Sequence, residues 1–520
     1  MASTFEVPAP DLTRRFSAAT VGVGIAAALC AVWLLLPPTG SDLSAQVAHA
    51  DFASKYLWHP VNLQWFGGTS WLGYSILVPP LMAAIGVQAV GVAATVASSG
   101  LLGLLMTRCR VLRPRAGAAV GALCLVGNLI VGRLTFAVGL TLALATVVAF
   151  TIPHRVRWVV LAVGPILTWA ASPLAALFLG FAVTTFVLWR RGSREGIVVI
   201  TSTTVALAAS FFFGQGGYMP APIFRGILGV TACLVVALTA GHKLVRIGAL
   251  LAAAGVIVAF TLQSQVGMNA IRLPAMFAAP ILVATSRLRT RVLAPAVALT
   301  VFVVPPLQPD DVTAIGSASN DADYYTAVVD ELQTLPLSGR VEIPPTLQRW
   351  ESVYVAESIP LARGWMTQLD AGYDQLFFDD GLNASSYYRW LRQNAVQYVA
   401  VPDATLAQAG ESERALIDAG LPYLRPLWGS EHWTVYGVAN PTSTVAGATL
   451  VSQDAVSVTF RTDQATDVRV RIRWSRWLTL AGPDGCLRRS GDWTGVRVTQ
   501  PGIYTIDSAL KSDAHVTCAS

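Results

Sequence analysis

The sequence predicts a polytopic α-helical membrane protein that ends in a water-exposed region of α/β and β-sandwich type. Of its 520 residues, 54% are hydrophobic and 13% are charged, whereas an ordinary soluble domain carries about 25% charged residues. Between Leu12 and Pro309 the acidic residues are Asp42, Asp51 and Glu195, three in all. This composition excludes a soluble globular enzyme, a disordered chain and a fibrous protein. It predicts roughly 300 residues in lipid followed by roughly 210 in water.

Eleven apolar segments predict eleven transmembrane helices. The first extends from about Ala18 to Pro37, after Arg14 and Arg15. It is long enough to span a bilayer, so we interpret it as a helix rather than as a cleaved signal peptide. The other ten segments lie near residues 84–107, 116–132, 134–152, 158–172, 174–189, 196–213, 227–241, 247–263, 275–286 and 292–306.

Basic residues alternate between the turns that join these segments. One set of turns carries clusters, namely Arg108, Arg110, Arg113 and Arg115; Arg155 and Arg157; Arg190, Arg191 and Arg194; Lys243 and Arg246; and Arg287, Arg289 and Arg291. The positive-inside rule places these clusters and the N-terminus in the cytoplasm. An odd number of spans then predicts a multi-pass plasma-membrane protein whose C-terminal region is extracytoplasmic. The net charge of +6 is therefore a topology signal and does not predict nucleic-acid binding.

The chain divides into three predicted domains, a transmembrane domain over 1–307, an α/β domain over 308–440 and a β-sandwich over 441–520. In the second, the helical runs DADYYTAVVDELQTL and SSYYRWLRQN alternate with the strand-like runs VQYVAVP and SVYVAES. In the third, AVSVTFRT, DVRVRIRW and GVRVTQPGIYTI alternate with period two. An extracytoplasmic location favours a Cys486–Cys518 disulfide over two unrelated thiols. The cysteines and histidines have no metal-ligand spacing, so the sequence predicts no metal site of that kind.

The first outside loop, about 38–83, holds the acids Asp42 and Asp51. Ser41 is a predicted N-cap, and the next sixteen residues are compatible with a helix. At 100° per residue, Asp42, Gln46 and His49 share one face of this helix. Asp51 lies on the opposite face, four residues before Lys55, and this spacing favours an Asp51–Lys55 ion pair.

The second half of this loop is rich in aromatic residues. Trp65, a Gly67-Gly68 turn, Trp71 and Tyr74 lead to Pro79-Pro80. This pattern predicts a second helix at the outer membrane surface, with the tryptophans as interface anchors.

These features resemble the polytopic C-type (GT-C) glycosyltransferases. The matching elements are Asp42, Gly67-Gly68, Tyr74 and Val78-Pro79-Pro80-Leu81, together with the first span, the long loop and the terminal domain. The alanine-, arginine- and valine-rich composition is typical of a high-GC actinobacterium, where such enzymes build mannans and arabinans outside the cell. Many members have two adjacent acids in this loop, whereas Ser41-Asp42-Leu43 has one. The single acid favours one catalytic base over a divalent-metal site, and the sequence does not decide between them.

The resemblance implies a sugar donor on a polyprenyl phosphate, a cell-envelope glycan or glycolipid acceptor, and contact with membrane lipids. Asp42 would be the catalytic base, with Asp51 as the second candidate. The outside loops of the membrane part carry three single arginines that could bind the phosphate, Arg133, Arg225 and Arg272, with Arg272 the strongest candidate. Gln46 and His49 could bind the sugar or the donor. In the tail, Trp474, Trp477 and Trp493 could stack on a glycan.

Each of these residues also has a structural interpretation. Asp42 could be an acid favoured by the helix dipole, and the arginines could cap helices or reach lipid headgroups. His49 and the tail tryptophans could be packing residues. Two other functions remain open, a transporter or flippase of a lipid-linked glycan, and a non-catalytic membrane scaffold whose outer domain binds a glycan or a partner. The near absence of acids in the spans disfavours a coupled transporter.

Overall fold

The structure, a computed structural model, describes residues 17–153, 155–379, 381–510 and 517–518. Arg14 and Arg15 of the predicted topology lie outside the described residues. Over 17–303 the helices are α1 (Ala18–Trp33), α2 (Leu43–Tyr56), α3 (Val78–Ile85), α4 (Val87–Arg108), α5 (Pro114–Ile130), α6 (Leu134–Ala149), α7 (Arg157–Ala171), α8 (Pro173–Arg190), α9 (Arg194–Phe213), α10 (Ile223–Thr239), α11 (Lys243–Thr261), α12 (Arg272–Thr285) and α13 (Thr290–Val303). Two short strands, β1 (Val61–Asn62) and β2 (Thr69–Ser70), lie between α2 and α3.

Eleven of these helices, all except α2 and α3, overlap the eleven predicted apolar segments. Five segments are long and apolar enough to cross a membrane by length and composition: Val87–Arg108, Pro173–Arg190, Arg194–Phe213, Lys243–Thr261 and Gly267–Thr285. The other apolar helices have 10–17 residues. The described helices thus indicate a membrane protein, and the number of crossings stays a prediction.

The turns with clustered positive charge meet at one end of the helix bundle. The guanidinium of Arg113 donates to the carbonyl oxygen of Ser286 at 3.1 Å, which joins two of these turns. Arg157 and Glu195 join two more through an ion pair of 3.0 Å. The hydroxyl of Ser286 donates to the carbonyl of Thr239 at 3.2 Å and adds a further turn. The guanidinium of Arg108 donates to the hydroxyl of Thr151 at 3.1 Å and connects the two groups of turns, so the basic turns lie at the same end of the bundle.

The tail lies at the opposite end of the bundle. Helix α9 begins beside Glu195 and ends at Phe213, roughly 30 Å away at 1.5 Å per residue. The ring of Phe213 stacks on Trp477 of the tail, with 6.2 Å between ring centroids. The amide of Tyr218 in the following loop donates to the carbonyl of Gln368 at 3.1 Å. The basic turns and the tail are thus separated by the length of a helix.

We expect an impermeant thiol reagent to distinguish these two ends in intact cells. Native Cys109 is exposed in a basic turn, while Cys30, Cys124 and Cys233 are buried. The reagent should label a Ser430→Cys variant, since Ser430 is exposed in the tail, and should leave Cys109 unlabelled because positive turns stay inside. Permeabilised cells provide the control, in which both thiols react. Labelling of Cys109 alone in intact cells would reverse the assigned orientation.

Residues 309–438 form an α/β domain. Its helices are α14 (Pro309–Thr313), α15 (Asp323–Thr334), α16 (Glu351–Tyr354), α17 (Thr367–Tyr373), α18 (Ala384–Gln393) and α19 (Gln408–Asp418), and its strands are β3 (Arg340–Glu342), β4 (Val396–Pro402), β5 (Leu424–Gly429) and β6 (Trp433–Val438). The sheet order is β3-β4-β6-β5, with β3 and β4 parallel and the other pairs antiparallel. The two predicted helical runs and the VQYVAVP strand have the predicted type.

The prediction of a strand at SVYVAES is wrong, because the run begins inside α16 and continues as turns. The rings of Trp350 and Tyr354 are four residues apart and stack at 5.3 Å, which is a helical spacing. The amide of Val355 donates to the carbonyl of Glu351, as in a helical turn. A short apolar run does not distinguish a strand from a buried helical turn.

Residues 445–508 form an antiparallel β-sandwich. Its strands are β7 (Val445–Ala446), β8 (Thr449–Gln453), β9 (Val458–Thr462), β10 (Thr466–Arg473), β11 (Leu478–Ala481), β12 (Gly485–Ser490), β13 (Trp493–Val498) and β14 (Gly502–Ser508). One sheet has the order β12-β13-β10-β7 and the other β11-β14-β9-β8. Phe460 and Tyr504 are fully buried between them. A disulfide joins Cys486 to Cys518 across 32 residues.

The loop between α1 and α4 packs against the tail. The prediction of a second interfacial helix is wrong, since residues 61–70 form the β1–β2 hairpin and Trp71–Gly73 a single 3-10 turn. Val61 belongs to the core of the sandwich. Trp65 is fully buried, and its indole nitrogen donates to the carbonyl of Ser352 at 3.2 Å. Partners hundreds of residues away thus override the local amphipathic pattern.

Gly67 shows how closely this hairpin approaches the tail. Its φ of +73° is in the left-handed region, which glycine adopts without steric cost. A Cβ at this position would lie 3.0 Å from the carbonyl oxygen of Arg471 and 3.0 Å from the ring of Trp493. The predicted Gly67-Gly68 turn therefore serves a close contact with the sandwich.

A buried charge cluster holds the α/β domain together around Arg363. Its guanidinium binds both carboxylate oxygens of Asp370, at 2.8 and 2.9 Å, and one oxygen of Glu413 at 3.1 Å. Glu342 lies 3.7 Å away and is completely buried. Asp374 is buried close by and accepts a hydrogen bond from the indole of Trp390. Acids outnumber the central cation in this cluster.

We expect the thermal midpoint of the protein to fall as the pH rises from 5 to 8. Burial raises the pKa of Glu413 to about 7 and that of Asp374 to about 7. A carboxyl whose folded pKa exceeds its unfolded value contributes stability below the unfolded pKa, and this contribution is lost as the pH rises through the folded pKa. The window is therefore about pH 4 to 7. Asp374→Asn should flatten the profile, whereas exposed Asp418→Asn should not.

Candidate functional site

Asp42 is held in a tight turn between α1 and α2. Gly40 has a φ of +115°, and a Cβ there would lie 2.4 Å from the carbonyl oxygen of Ile130. The amide of Asp42 donates to the carbonyl of Val131 at 2.9 Å. Asp42, not Ser41 as predicted, is the residue that precedes α2, and its side chain makes no capping hydrogen bond. The carboxylate is thus directed away from the helix terminus.

Two arginines bind this carboxylate from the bundle. Oδ2 of Asp42 lies 3.2 Å from Nε of Arg133, which precedes α6, and 3.4 Å from Nη2 of Arg272, the first residue of α12. The side chains are 15%, 18% and 18% exposed respectively, so the group is mostly buried yet still reaches solvent. One carboxylate and two guanidinium groups leave one net positive charge. The arrangement can attract an anion and accept a proton within one site.

A neutral hydrogen-bond network supports Asp42 from α2 and α6. Nε2 of Gln46 donates to the hydroxyl oxygen of Tyr74 at 2.7 Å and to the carbonyl of Asp42 at 3.3 Å. Oε1 of Gln46 accepts from the amide of Thr135 at 3.3 Å, and the Thr135 hydroxyl contacts that of Tyr74 at 3.2 Å. Burial and the negative charge of Asp42 raise the pKa of Tyr74. Tyr74 therefore stays a neutral hydroxyl beside the acid.

His49 lies one turn further along α2, behind Tyr74. The two rings stack with 4.7 Å between centroids, and the edge of Trp65 approaches at 5.6 Å. Burial lowers the pKa of His49 to about 4, so the ring is neutral at physiological pH. Neither ring nitrogen has a hydrogen-bond partner among the described residues. At neutral pH, His49 therefore carries no positive charge with which to bind a phosphate.

The α/β domain contributes polar groups that the sequence did not indicate. Oδ1 of Asp311 accepts from the amide of Ser41 at 2.7 Å, and Oε1 of Gln348 accepts from that of Gly40 at 3.2 Å. The indole of Trp365 donates to the carbonyl of Ser41 at 2.8 Å. Burial raises the pKa of Asp311 to about 6. No local pattern could have identified these residues, because their partners are 270 or more positions away.

Asp51 and Arg225 are not part of this arrangement. Asp51 is exposed, and its predicted pairing with Lys55 is wrong, because Lys55 binds Glu357 at 2.5 Å instead. Although Asp51 reaches solvent, partial desolvation and the nearby charge of Glu357 raise its pKa. The guanidinium of Arg225 lies over the ring of Phe224 at 5.3 Å and forms no ion pair with Asp42 among the described residues.

The tail tryptophans are packing residues in this structure. Trp474 and Trp477 pack against the sandwich core, and Trp477 also stacks on Phe213. The ring of Trp493 is covered by the guanidinium of Arg473, with 4.4 Å to the centroid. Phe213 thus covers one face of the Trp477 ring, and Arg473 covers one face of the Trp493 ring. Their predicted contact with a glycan stays untested.

Comparison with known proteins gives no assignment of family. No family model matches the chain, and no curated protein matches it. Among solved structures, a cryo-EM structure of mycobacterial arabinofuranosyltransferase AftD has 12% identity and a TM-score of 0.45, covering 99% of this chain and 58% of that one. A mutant of AftD has 12% identity and a TM-score of 0.42, covering 96% and 60%. The chain thus spans less than two thirds of these proteins, and such values assign neither a family nor an activity.

No group of three or more His, Cys, Asp or Glu side chains that could hold a metal ion occurs in the described ranges. The groups in ion-pair contact with Asp42 in these ranges are Arg133 and Arg272, and the acid Asp311 binds the adjacent amide of Ser41.

Proposed function

We propose that the protein is a membrane glycosyltransferase. It transfers a sugar from a polyprenyl-phosphate donor to a cell-envelope glycan or glycolipid acceptor on the outer face of the plasma membrane. One observation carries the proposal: a partly exposed carboxylate, Asp42, contacts two arginines at the end of the bundle that the tail covers. This site joins the two functions that such a transfer needs, a base and an anion-binding group.

In the proposed reaction, the donor phosphate binds to Arg133 and Arg272 and displaces them from Asp42. The acceptor hydroxyl oxygen bonds to the anomeric carbon of the donor sugar, and the freed Asp42 carboxylate accepts the proton of that hydroxyl. The bond between that carbon and the phosphate oxygen breaks, and the phosphate leaves with the electron pair. The two guanidinium groups stabilise the negative charge that develops on it. Gln46, itself held by Tyr74, bonds the main-chain carbonyl of Asp42 and so supports the turn that carries the carboxylate.

The assay uses purified protein in nanodiscs with radiolabelled polyprenyl-phosphate sugars and a cell-envelope glycan acceptor. We expect wild-type protein to give a labelled product. A flippase would move the labelled lipid without forming a new glycosidic bond, and a scaffold would bind the acceptor without turnover. Either result with all donors tested would contradict the proposal.

We expect Arg133→Gln and Arg272→Gln each to raise the donor KM. A charge-assisted hydrogen bond contributes about 1.5–3 kcal/mol, so each change should weaken donor binding by roughly tenfold to a hundredfold. Arg225→Gln provides the matched outside arginine and should change KM much less, because it is not in contact with Asp42. The measurement is initial rate against donor concentration. Equal increases in donor KM for all three substitutions would contradict a specific role of Arg133 and Arg272 in binding the donor phosphate.

A further inference from the structure

A groove rich in arginine lies on the tail at the junction of the α/β domain and the sandwich. We call it the arginine groove; it is lined by Ser385, Tyr388, Arg389, Arg392, Gln393, Thr442 and Arg471. Its volume is about 400 Å³, which is within the range of ordinary ligand sites, about 300–1,000 Å³. Arg389, Arg392 and Arg471 have no acid at ion-pair distance among the described residues.

The groove is built from both domains. Arg389 and Arg392 are on helix α18, and Arg471 is on strand β10. The hydroxyl of Thr442 donates to the carbonyl of Arg392, and the guanidinium of Arg471 donates to the carbonyl of Ser443 at 2.6 Å. These bonds fix the two walls relative to each other. Burial and the positive charges of Arg469 and Arg392 lower the pKa of Arg471, which shows that like charges converge here.

We propose that the arginine groove binds a phosphate group carried on a glycan chain. Three guanidinium groups, with no acid at ion-pair distance in the part of the chain that the structure describes, match the charge and the forked geometry of phosphate oxygens. Ser385, Gln393 and Thr442 supply neutral hydroxyl and amide groups for sugar hydroxyls. The groove holds phosphate by charge and the attached sugar by hydrogen bonds.

The surroundings disfavour the other phosphate-bearing classes. Single-stranded nucleic acid requires open aromatic faces on which bases stack. The groove has one aromatic ring, that of Tyr388. It stacks on Tyr423 with 4.5 Å between ring centroids, and the guanidinium carbon of Arg392 lies 5.8 Å from its centroid. The lining residues are polar apart from that ring, so an acyl chain has no apolar surface to enter. A phosphorylated glycan is the class that uses both the arginines and the polar side chains.

Binding is measured by fluorescence anisotropy on the full-length protein in detergent micelles at low salt. The probe is a labelled mannopentaose phosphate, and its competitors are neutral mannopentaose, inorganic phosphate and vesicles with anionic lipids. We expect the phosphorylated sugar to bind more tightly than any competitor. The double variant Arg389→Gln/Arg392→Gln should weaken binding at least tenfold, and added salt should weaken binding to the wild type more steeply.

Arg425→Gln is the matched control, because Arg425 is an exposed arginine on β5 of the same α/β domain and forms no ion pair with any residue that the structure describes. It should leave binding unchanged, and equal thermal midpoints of all variants should show that each one folds. Arg471 is left in place because its guanidinium helps to join the two domains. Unchanged binding in the double variant would overturn the proposal. Equal binding of neutral sugar or inorganic phosphate, or binding to vesicles alone, would overturn it too.

This site does not depend on the proposed transfer reaction. Binding is measured without turnover, so the groove can bind phosphorylated glycan in a protein with no transferase activity. Conversely, the transfer assay can succeed in the double variant with a neutral acceptor.

Discussion

Asp42→Asn should abolish detectable sugar transfer while leaving the protein folded. Asparagine has nearly the same shape as aspartate, so the turn between α1 and α2 can keep its backbone contacts. The asparagine side chain cannot take up the proton from the attacking hydroxyl, and loss of base catalysis typically lowers a rate by about 10²–10⁴-fold. The initial rate with saturating donor and acceptor gives the measurement.

Donor affinity separates this chemical role from a structural one. Without donor, the Asp42 carboxylate forms ion pairs with Arg133 and Arg272. The donor phosphate has to compete with this carboxylate for the two guanidinium groups. The uncharged asparagine competes less well, so the variant should bind donor at least as tightly as the wild type. A low rate with tight donor binding indicates a missing base. Weaker donor binding and a lowered thermal midpoint would instead indicate that Asp42 only holds the arginines in place.

Asp51→Asn is the matched control for this substitution. Asp51 is the other acid of the same loop, and it is exposed. Since it does not contact Arg133 or Arg272 among the described groups, its loss should leave the transfer rate within about twofold, a change of roughly 0.4 kcal/mol. If Asp51→Asn abolished transfer and Asp42→Asn did not, the base would be Asp51.

Arg363→Met should strongly destabilise the α/β domain. The change removes the guanidinium that binds both Asp370 and Glu413, while the acids remain buried and Arg349 stays at 3.7 Å from Asp370. Breaking a buried pair in this way typically costs about 3–5 kcal/mol. A thermal-shift measurement on the purified full-length protein should therefore show a large drop in midpoint at pH 8. The drop should be smaller at pH 5, where the raised pKa values of Glu413 and Asp374 leave those acids protonated.

Arg414→Met is the control for the buried pair. Arg414 binds Asp418 at 2.9 Å four residues along α19 and also donates to the carbonyl of Pro402; the ion pair contributes about 0.3–0.5 kcal/mol, so the loss should stay well below that for Arg363. Similar shifts for both variants would mean that the buried cluster is no more important than a surface pair. Arg363 lies two residues before Trp365, whose indole bonds the carbonyl of Ser41 beside Asp42. The Arg363 variant should therefore also lose sugar transfer.

The local elements of the fold could be predicted because their patterns are local. The apolar segments, the period-two strands of the sandwich and the helix α2 follow from residues close together in sequence. The topology argument predicts that Asp42 and Arg272 lie at the same end of the bundle, and the resemblance assigns them to one reaction. Their direct contact joins residues 230 positions apart and does not follow from the sequence.

The rest of the site depends on contacts that no local pattern encodes. Asp311, Gln348 and Trp365 reach the Asp42 turn from another domain, and a polar residue in a tail loop looks like many others. The same cause explains the wrong prediction for Trp65 and Trp71. An aromatic-rich loop beside a span is typical of an interfacial helix, but here the tail buries both rings. Tertiary burial decides such cases, and sequence periodicity does not.

The insertion of the β1–β2 hairpin into the sandwich orders events during biosynthesis. Val61 and Leu63 complete a core whose other members lie at Val445 and beyond. A ribosome finishes the hairpin long before it makes those strands, so these apolar side chains stay without their core partners while the helices from α3 onward are synthesised. Such a delay invites recognition by chaperones and proteases. A chain truncated before the sandwich would leave the hairpin without its core, and quality control could detect the incomplete protein at the loop that carries Asp42.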